Sequence, residues 1–159
     1  MTDDATNPIV CVDANPFIYF VDGEGAIANG LKSFFEFLRQ KPGIAMTGEL
    51  TLAEVLPKAR SDTRGSYLNL IVWSGLFNLQ PITREILVDT ADYRRLNSKI
   101  LPGGRSVMPK LPDAIHVVTA ARHRCRMFLS ADAALKLPAD IAAFEPNEVG
   151  LSKLMHELS

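Results

Sequence analysis

The sequence predicts a three-layer α/β/α fold around a mainly parallel sheet. Two observations predict it. The first is a set of short, almost wholly apolar runs, Ile9-Val10-Cys11-Val12, Ile44-Ala45-Met46-Thr47 and Met127-Phe128-Leu129, which read as strands buried on both faces. The second is that longer stretches with apolar residues at helical spacing separate them. Strands alternating with helices along a chain build a parallel sheet covered on two sides.

The elements follow in order. The first strand ends at Asp13, and Asn15-Pro16 opens a helix through Phe17, Ile18, Tyr19 and Phe20. Asn can cap such a start, and proline fits a position whose N–H has no helical partner. After the Asp22–Gly25 turn, a helix from Ala26 to Gln40 carries Ile27, Leu31, Phe34, Phe35 and Leu38 on one stripe. Pro42-Gly43 ends it, and the Ile44–Thr47 strand leads into a helix from Leu50 to about Arg60. Asp62 or Thr63 opens the next helix. Phe77 to Ile82 alternates apolar and polar residues, as a strand does, with Pro81 placing it at an end or an edge. A helix is expected from Thr83 to about Ile100, then a loop at Pro102–Ser106. The helix that starts at Leu111-Pro112-Asp113 is apolar on nearly every side and should lie inside the fold. After the Met127–Leu129 strand come Ser130-Ala131-Asp132, a short helix capped by Asp132, a strand at Ile141–Phe144 and a helix from about Asn147.

The totals fit one domain over residues 1–159, with a core at about 9–145 and a terminal helix at about 147–158. A 47% hydrophobic and 22% charged composition is that of an ordinary globular chain. The net charge of -1 announces no nucleic-acid binder, although it does not exclude a local basic patch. Cys11 and Cys125 both lie in apolar segments, as buried free thiols in a reducing cytoplasm would. The polar start, Met1 to Pro8, does not read as a secretory signal. No apolar run reaches the length of a membrane span.

Four acids share a setting. Asp13 ends a strand and Asp132 follows one, Glu54 sits in an apolar helix, and Asp113 opens the most apolar helix. Sites in parallel α/β sheets form beyond the carboxyl ends of the strands. Two like charges about 4 Å apart cost roughly 4 kcal/mol at an effective dielectric near 20. A cluster of carboxylates therefore needs protons or cations to persist. Hard oxygen donors suit Mg²⁺ or Mn²⁺, and such sites commonly hydrolyse phosphodiesters.

In that order, the four positions resemble the PIN-domain nucleases, and among them the VapC-type toxin ribonucleases of toxin–antitoxin pairs. The resemblance rests on Val12-Asp13-Ala14-Asn15, Thr51-Leu52-Ala53-Glu54, Asp113-Ala114-Ile115 and Phe128-Leu129-Ser130-Ala131-Asp132. It spans about Ile9 to Phe144. It implies cleavage of RNA by a Mg²⁺- or Mn²⁺-dependent endonuclease. It also implies Asp13, Glu54, Asp113 and Asp132 as the catalytic acids, with Asp13, Asp113 and Asp132 on the metal. Asn15 and Ser130 would orient those carboxylates. A homodimer and a small inhibitory antitoxin protein are implied as well.

His116 and Pro16 depart from the usual family pattern, and His116 reads as an ordinary hydrogen-bonded residue. RNA phosphates require positive charge, for which Arg105 and Lys110 are the expected residues. Arg122, His123, Arg124 and Arg126 lie at the far end of the Asp113 helix. Tyr19 and Trp73 could stack on bases but read as core residues.

The alternatives are weaker. A non-cleaving PIN scaffold that binds RNA or protein would have no need of all four acids. A haloacid-dehalogenase-like phosphotransferase would want a second Asp where Asn15 stands. A response-regulator receiver would want an acidic pair near the first strand and a Lys after a late one.

Overall fold

The computed structural model describes residues 8–159. The polar start, read above as no secretory signal, lies outside them but for Pro8. Five strands form one parallel sheet: β1 (Val10–Val12), β2 (Ala45–Gly48), β3 (Asn78–Gln80), β6 (Met127–Leu129) and β7 (Ala142–Phe144), ordered β3-β2-β1-β6-β7. The most apolar strand, β1, takes the centre, where both faces are covered.

Period-two alternation along β1 divides the core. Val10 and Val12 face a cluster with Phe17, Leu31, Phe34, Phe35, Leu151 and Leu154. These side chains come from α1 (Ala14–Val21), α2 (Gly25–Arg39) and α7 (Glu148–Leu158). Cys11 faces the other way, with Met46, Ala120, Phe128 and Ile141. There α6 (Leu111–Arg122) covers the sheet, with α5 (Arg84–Leu96) packed against it. The expected three layers are thus present. As expected, α6 is buried from Ala114 to Ala120. Both cysteines are free and buried, and burial pushes the Cys125 thiol up to about 12. No helix among the described residues is long and apolar enough to cross a membrane.

Several local expectations need correction. Helix α1 starts two residues early, because Asp13, not Asn15, accepts the Ala14 N–H as its cap. The Leu50 helix is α3 (Leu50–Val55), which tightens into a 3₁₀ turn at Leu56–Lys58. The next helix is split between α4 (Arg64–Leu68) and a π-helical turn at Asn69–Trp73. The Thr83 helix stops at Leu96 rather than Ile100. Beyond it the supposed loop is an antiparallel hairpin of β4 (Lys99–Ile100) and β5 (Ser106–Val107). Its turn uses Gly103 and Gly104, at φ +95° and +85°, a region other residues enter only under strain.

The short helix expected after Asp132 does not form. Asp132 Oδ1 accepts the Ala134 N–H at 2.9 Å, and the Lys136 carbonyl accepts the Tyr93 hydroxyl at 2.6 Å. Leu135 and Leu137 pack against the Cys11 cluster. These bonds and contacts hold the segment in turns, and packing overrides local helix preference. Tyr19 and Trp73 are not core residues either: they are 37% and 67% exposed. Neither lines the acidic cleft described next.

Candidate active site

Because the sheet is parallel, β1, β2 and β6 all deliver their chains to one edge. β1 ends at Asp13, which is buried at 5% exposure. Its Oδ1 caps α1, and its Oδ2 accepts the Ser130 hydroxyl at 2.7 Å. Ser130 lies directly after β6, so this bond joins two neighbouring strand ends. Asn15 extends the arrangement. Its amide N–H lies 3.5 Å from Asp13 Oδ2 and 3.4 Å from Ser130 Oγ, while its Oδ1 accepts the Ala131 N–H at 2.9 Å. Asn15 and Ser130 therefore both touch Asp13.

Glu54 is placed from β2. Thr47 on that strand donates to the Val12 carbonyl at 2.8 Å and lies 2.7 Å from the Thr51 hydroxyl. Both threonines are buried, so α3 is pinned to the sheet edge. Glu54, one turn beyond Thr51, is then presented to the site.

Asp113 enters from the first turn of α6, and Asp132 from the loop after β6. All four acids line one cleft of about 310 Å³, together with Asn15, Lys58 and Lys110.

The charges in this cleft are unbalanced. Asp113 has its pKa raised, first by burial and then by the charges of Asp13, Asp132 and Glu54; nearby His116 only partly offsets them. Relieving that repulsion should stabilise the metal-free protein. Asp113→Asn is expected to gain about 1 kcal/mol, near the aqueous limit for a half-exposed group. For a chain of this size that is roughly 2–4 °C in Tm. Thermal unfolding of both proteins in EDTA checks it, and a lower Tm for the variant would contradict it.

Sequence reasoning missed two residues. His116, only 1% exposed, hydrogen-bonds Glu54 Oε1 through Nε2 and lies 3.6 Å from Asp13 Oδ1. Among the described residues, the donor atoms that converge within 4.8 Å are those of Asp13, Glu54 and His116; Asp113 and Asp132 do not join that group. Burial pushes the imidazole pKa down. The Glu54 hydrogen bond and the nearby carboxylates outweigh burial and raise it overall. In the metal-free protein, an imidazole held toward its charged form donates to Glu54. His116 sits three residues after Asp113, one helical turn along the same face, and that spacing was the available signal. Lys58 was also missed, although it stands four residues after Glu54. Of the two expected cations, Lys110 lines the cleft, while Arg105 lies in the hairpin turn and lines no part of it. Arg122 is engaged elsewhere, 2.7 Å from Asp89.

Residues 10–140 match the family described as PIN domain. The chain belongs to the PIN-domain family. PIN domains are in general metal-dependent nucleases. Comparison with curated proteins gives no match. Among solved structures, this PIN domain is similar to a chain of "Structure of FitAB bound to IR36 DNA fragment". The TM-score is 0.60 and the identity 15%, covering 87% of this chain and 95% of the other. At that identity the likeness is one of fold.

The PIN family implies a divalent cation, and the residues present fit one. Four carboxylates line a single cleft with two lysines beside them, and burial, followed by the charges of the other three, raises the Asp113 pKa.

Proposed function

We propose that this PIN domain is a Mg²⁺- or Mn²⁺-dependent endoribonuclease that hydrolyses RNA phosphodiesters at the Asp13, Glu54, Asp113 and Asp132 cleft. The observation that carries the reading is the convergence of these four carboxylates on one cleft from four separate parts of the chain. Asp13, Asp113 and Asp132 are assigned to hold the cation. When bound, that cation supplies positive charge to the phosphodiester oxygens and lowers the pKa of water.

The chain's own groups have the remaining roles. Ser130 and Asn15 fix the rotamer of Asp13, so that its carboxylate is preset. His116 holds Glu54 at the cleft by hydrogen bond, leaving that carboxylate oriented to accept a proton from attacking water. Lys58 and Lys110 line the acidic cleft and offset the repulsion that an incoming phosphate would meet.

The resemblance to VapC-type toxins extends the reading. It assigns a small antitoxin protein that covers this cleft, a homodimeric state and a cytoplasmic site of action.

The test is incubation of purified protein with long single-stranded RNA of mixed sequence. Discrete fragments are expected with Mg²⁺ or Mn²⁺ and none in EDTA. Cleavage that persists in EDTA would overturn the metal-dependent reading, and RNA binding without products would favour a non-cleaving scaffold.

A further inference from the structure

A second cleft, of about 400 Å³, opens beside the acidic one and shares Lys110, Asp113 and Asp132 with it. Its volume is in the range of small-ligand pockets, roughly 300–1,000 Å³. Lysines reach it from three elements: Lys99 on β4, Lys110 at the start of α6 and Lys136 in the loop after β6. The apolar part comes from Met108 and Leu135, with Tyr93 beside them. Met108 is 47% exposed, an open apolar surface within a charged rim. The Tyr93 hydroxyl is already committed to the Lys136 carbonyl, which ties the loop to α5 and fixes this wall. Asp113 helps to raise the Tyr93 pKa, after burial itself, as expected of a ring close to the acids. The only acids on the walls are the two shared with the first cleft.

Ammonium groups around an apolar floor match the two halves of a nucleotide. Phosphate meets the lysines, and the flat base covers methionine, leucine and tyrosine. A base held in a duplex could not enter without leaving its stack, at a cost of a few kcal/mol. We propose that this second cleft is a subsite for one unpaired nucleotide flanking the scissile phosphate, with Lys99 and Lys136 as positioning residues and Met108 under the base. The proposal rests on the nuclease reading above and adds where its substrate is gripped. It also assigns the β4–β5 hairpin a part in choosing the cleavage position.

The experiment uses the full chain and a fluorescent single-stranded oligoribonucleotide whose cleavage position has been mapped with Mn²⁺. Lys99→Ala/Lys136→Ala changes only exposed side chains and is expected to keep the fold, as thermal unfolding will show. It should raise KM about tenfold with kcat nearly unchanged, and should reduce the slope of log affinity against log salt by about 1.4, the single-strand value for two phosphate contacts. Replacing the nucleotide on one side of the scissile phosphate by an abasic unit should raise KM for the wild type. The same replacement should have little further effect on Met108→Ala. Unchanged KM and salt slope in the double lysine variant, or indifference of the wild type to abasic units on both sides, would overturn the subsite while the nuclease reading stood. No cleavage by the wild type would overturn both.

Discussion

Asn in place of Asp13 or Asp113 is expected to lower kcat for RNA cleavage by at least about 10³-fold, or about 4 kcal/mol of transition-state stabilisation. Each change removes one negative charge from the cation site and leaves a side chain of nearly the same shape. For Asp13 the effect should extend to its supports. Ser130→Ala deletes the 2.7 Å bond to Oδ2 without touching a charge, and a loss of about 10- to 100-fold is expected, typical of groups that orient ligands. Arg105→Ala, in the hairpin turn and off both clefts, should change kcat by less than about twofold. Single-turnover kinetics at saturating Mn²⁺ separates these outcomes. Equal activity in wild type and Asp13→Asn would refute the assignment of the acids.

The second large effect is on stability. His116→Ala should destabilise the metal-free protein by about 3 kcal/mol, which for a domain of this length is roughly 6–12 °C in Tm. Two losses add: a cavity on the inner face of α6, and the partner of Glu54. Breaking a buried pair costs about 3–5 kcal/mol, but the Glu54 side chain is 27% exposed, so less of that applies here. The effect should depend on pH. His116 has its folded pKa raised above the ordinary 6.5, so protonation favours the folded state. Its contribution is complete below about pH 6 and declines as pH rises through the raised folded value. Urea unfolding of wild type and His116→Gln between pH 5.5 and 9 should show the gap narrowing as pH rises. A gap that widened with pH would contradict the pairing.

The parts of this molecule that could be read from its sequence were those fixed by short-range pattern. Val10-Cys11-Val12 reads as a buried strand, and the apolar run that the structure buries from Ala114 to Ala120 reads as an interior helix. Asp13, Glu54, Asp113 and Asp132 were legible because each sits at a fixed offset from such an element, and parallel topology then brings the offsets to one edge. His116 was legible as hydrogen-bonded but not as part of the site, because its partner Glu54 is 62 residues away. The turns after Asp132 are set by Tyr93 and by the packing of Leu135 and Leu137, contacts that local propensity does not contain. The hairpin at Lys99–Val107 was hidden by its length, since two-residue strands carry no visible alternation. Arg105, expected from the sequence to meet RNA phosphates, belongs to that hairpin turn and lines neither cleft.

Anomalous diffraction from crystals soaked in Mn²⁺ tests the central claim most directly. A manganese peak in the acidic cleft, within about 2.0–2.3 Å of oxygens from Asp13, Asp113 and Asp132, is the expected result, with no such peak in Asp113→Asn crystals. A cleft without manganese at millimolar concentration, or manganese bound only at other acids, would contradict it.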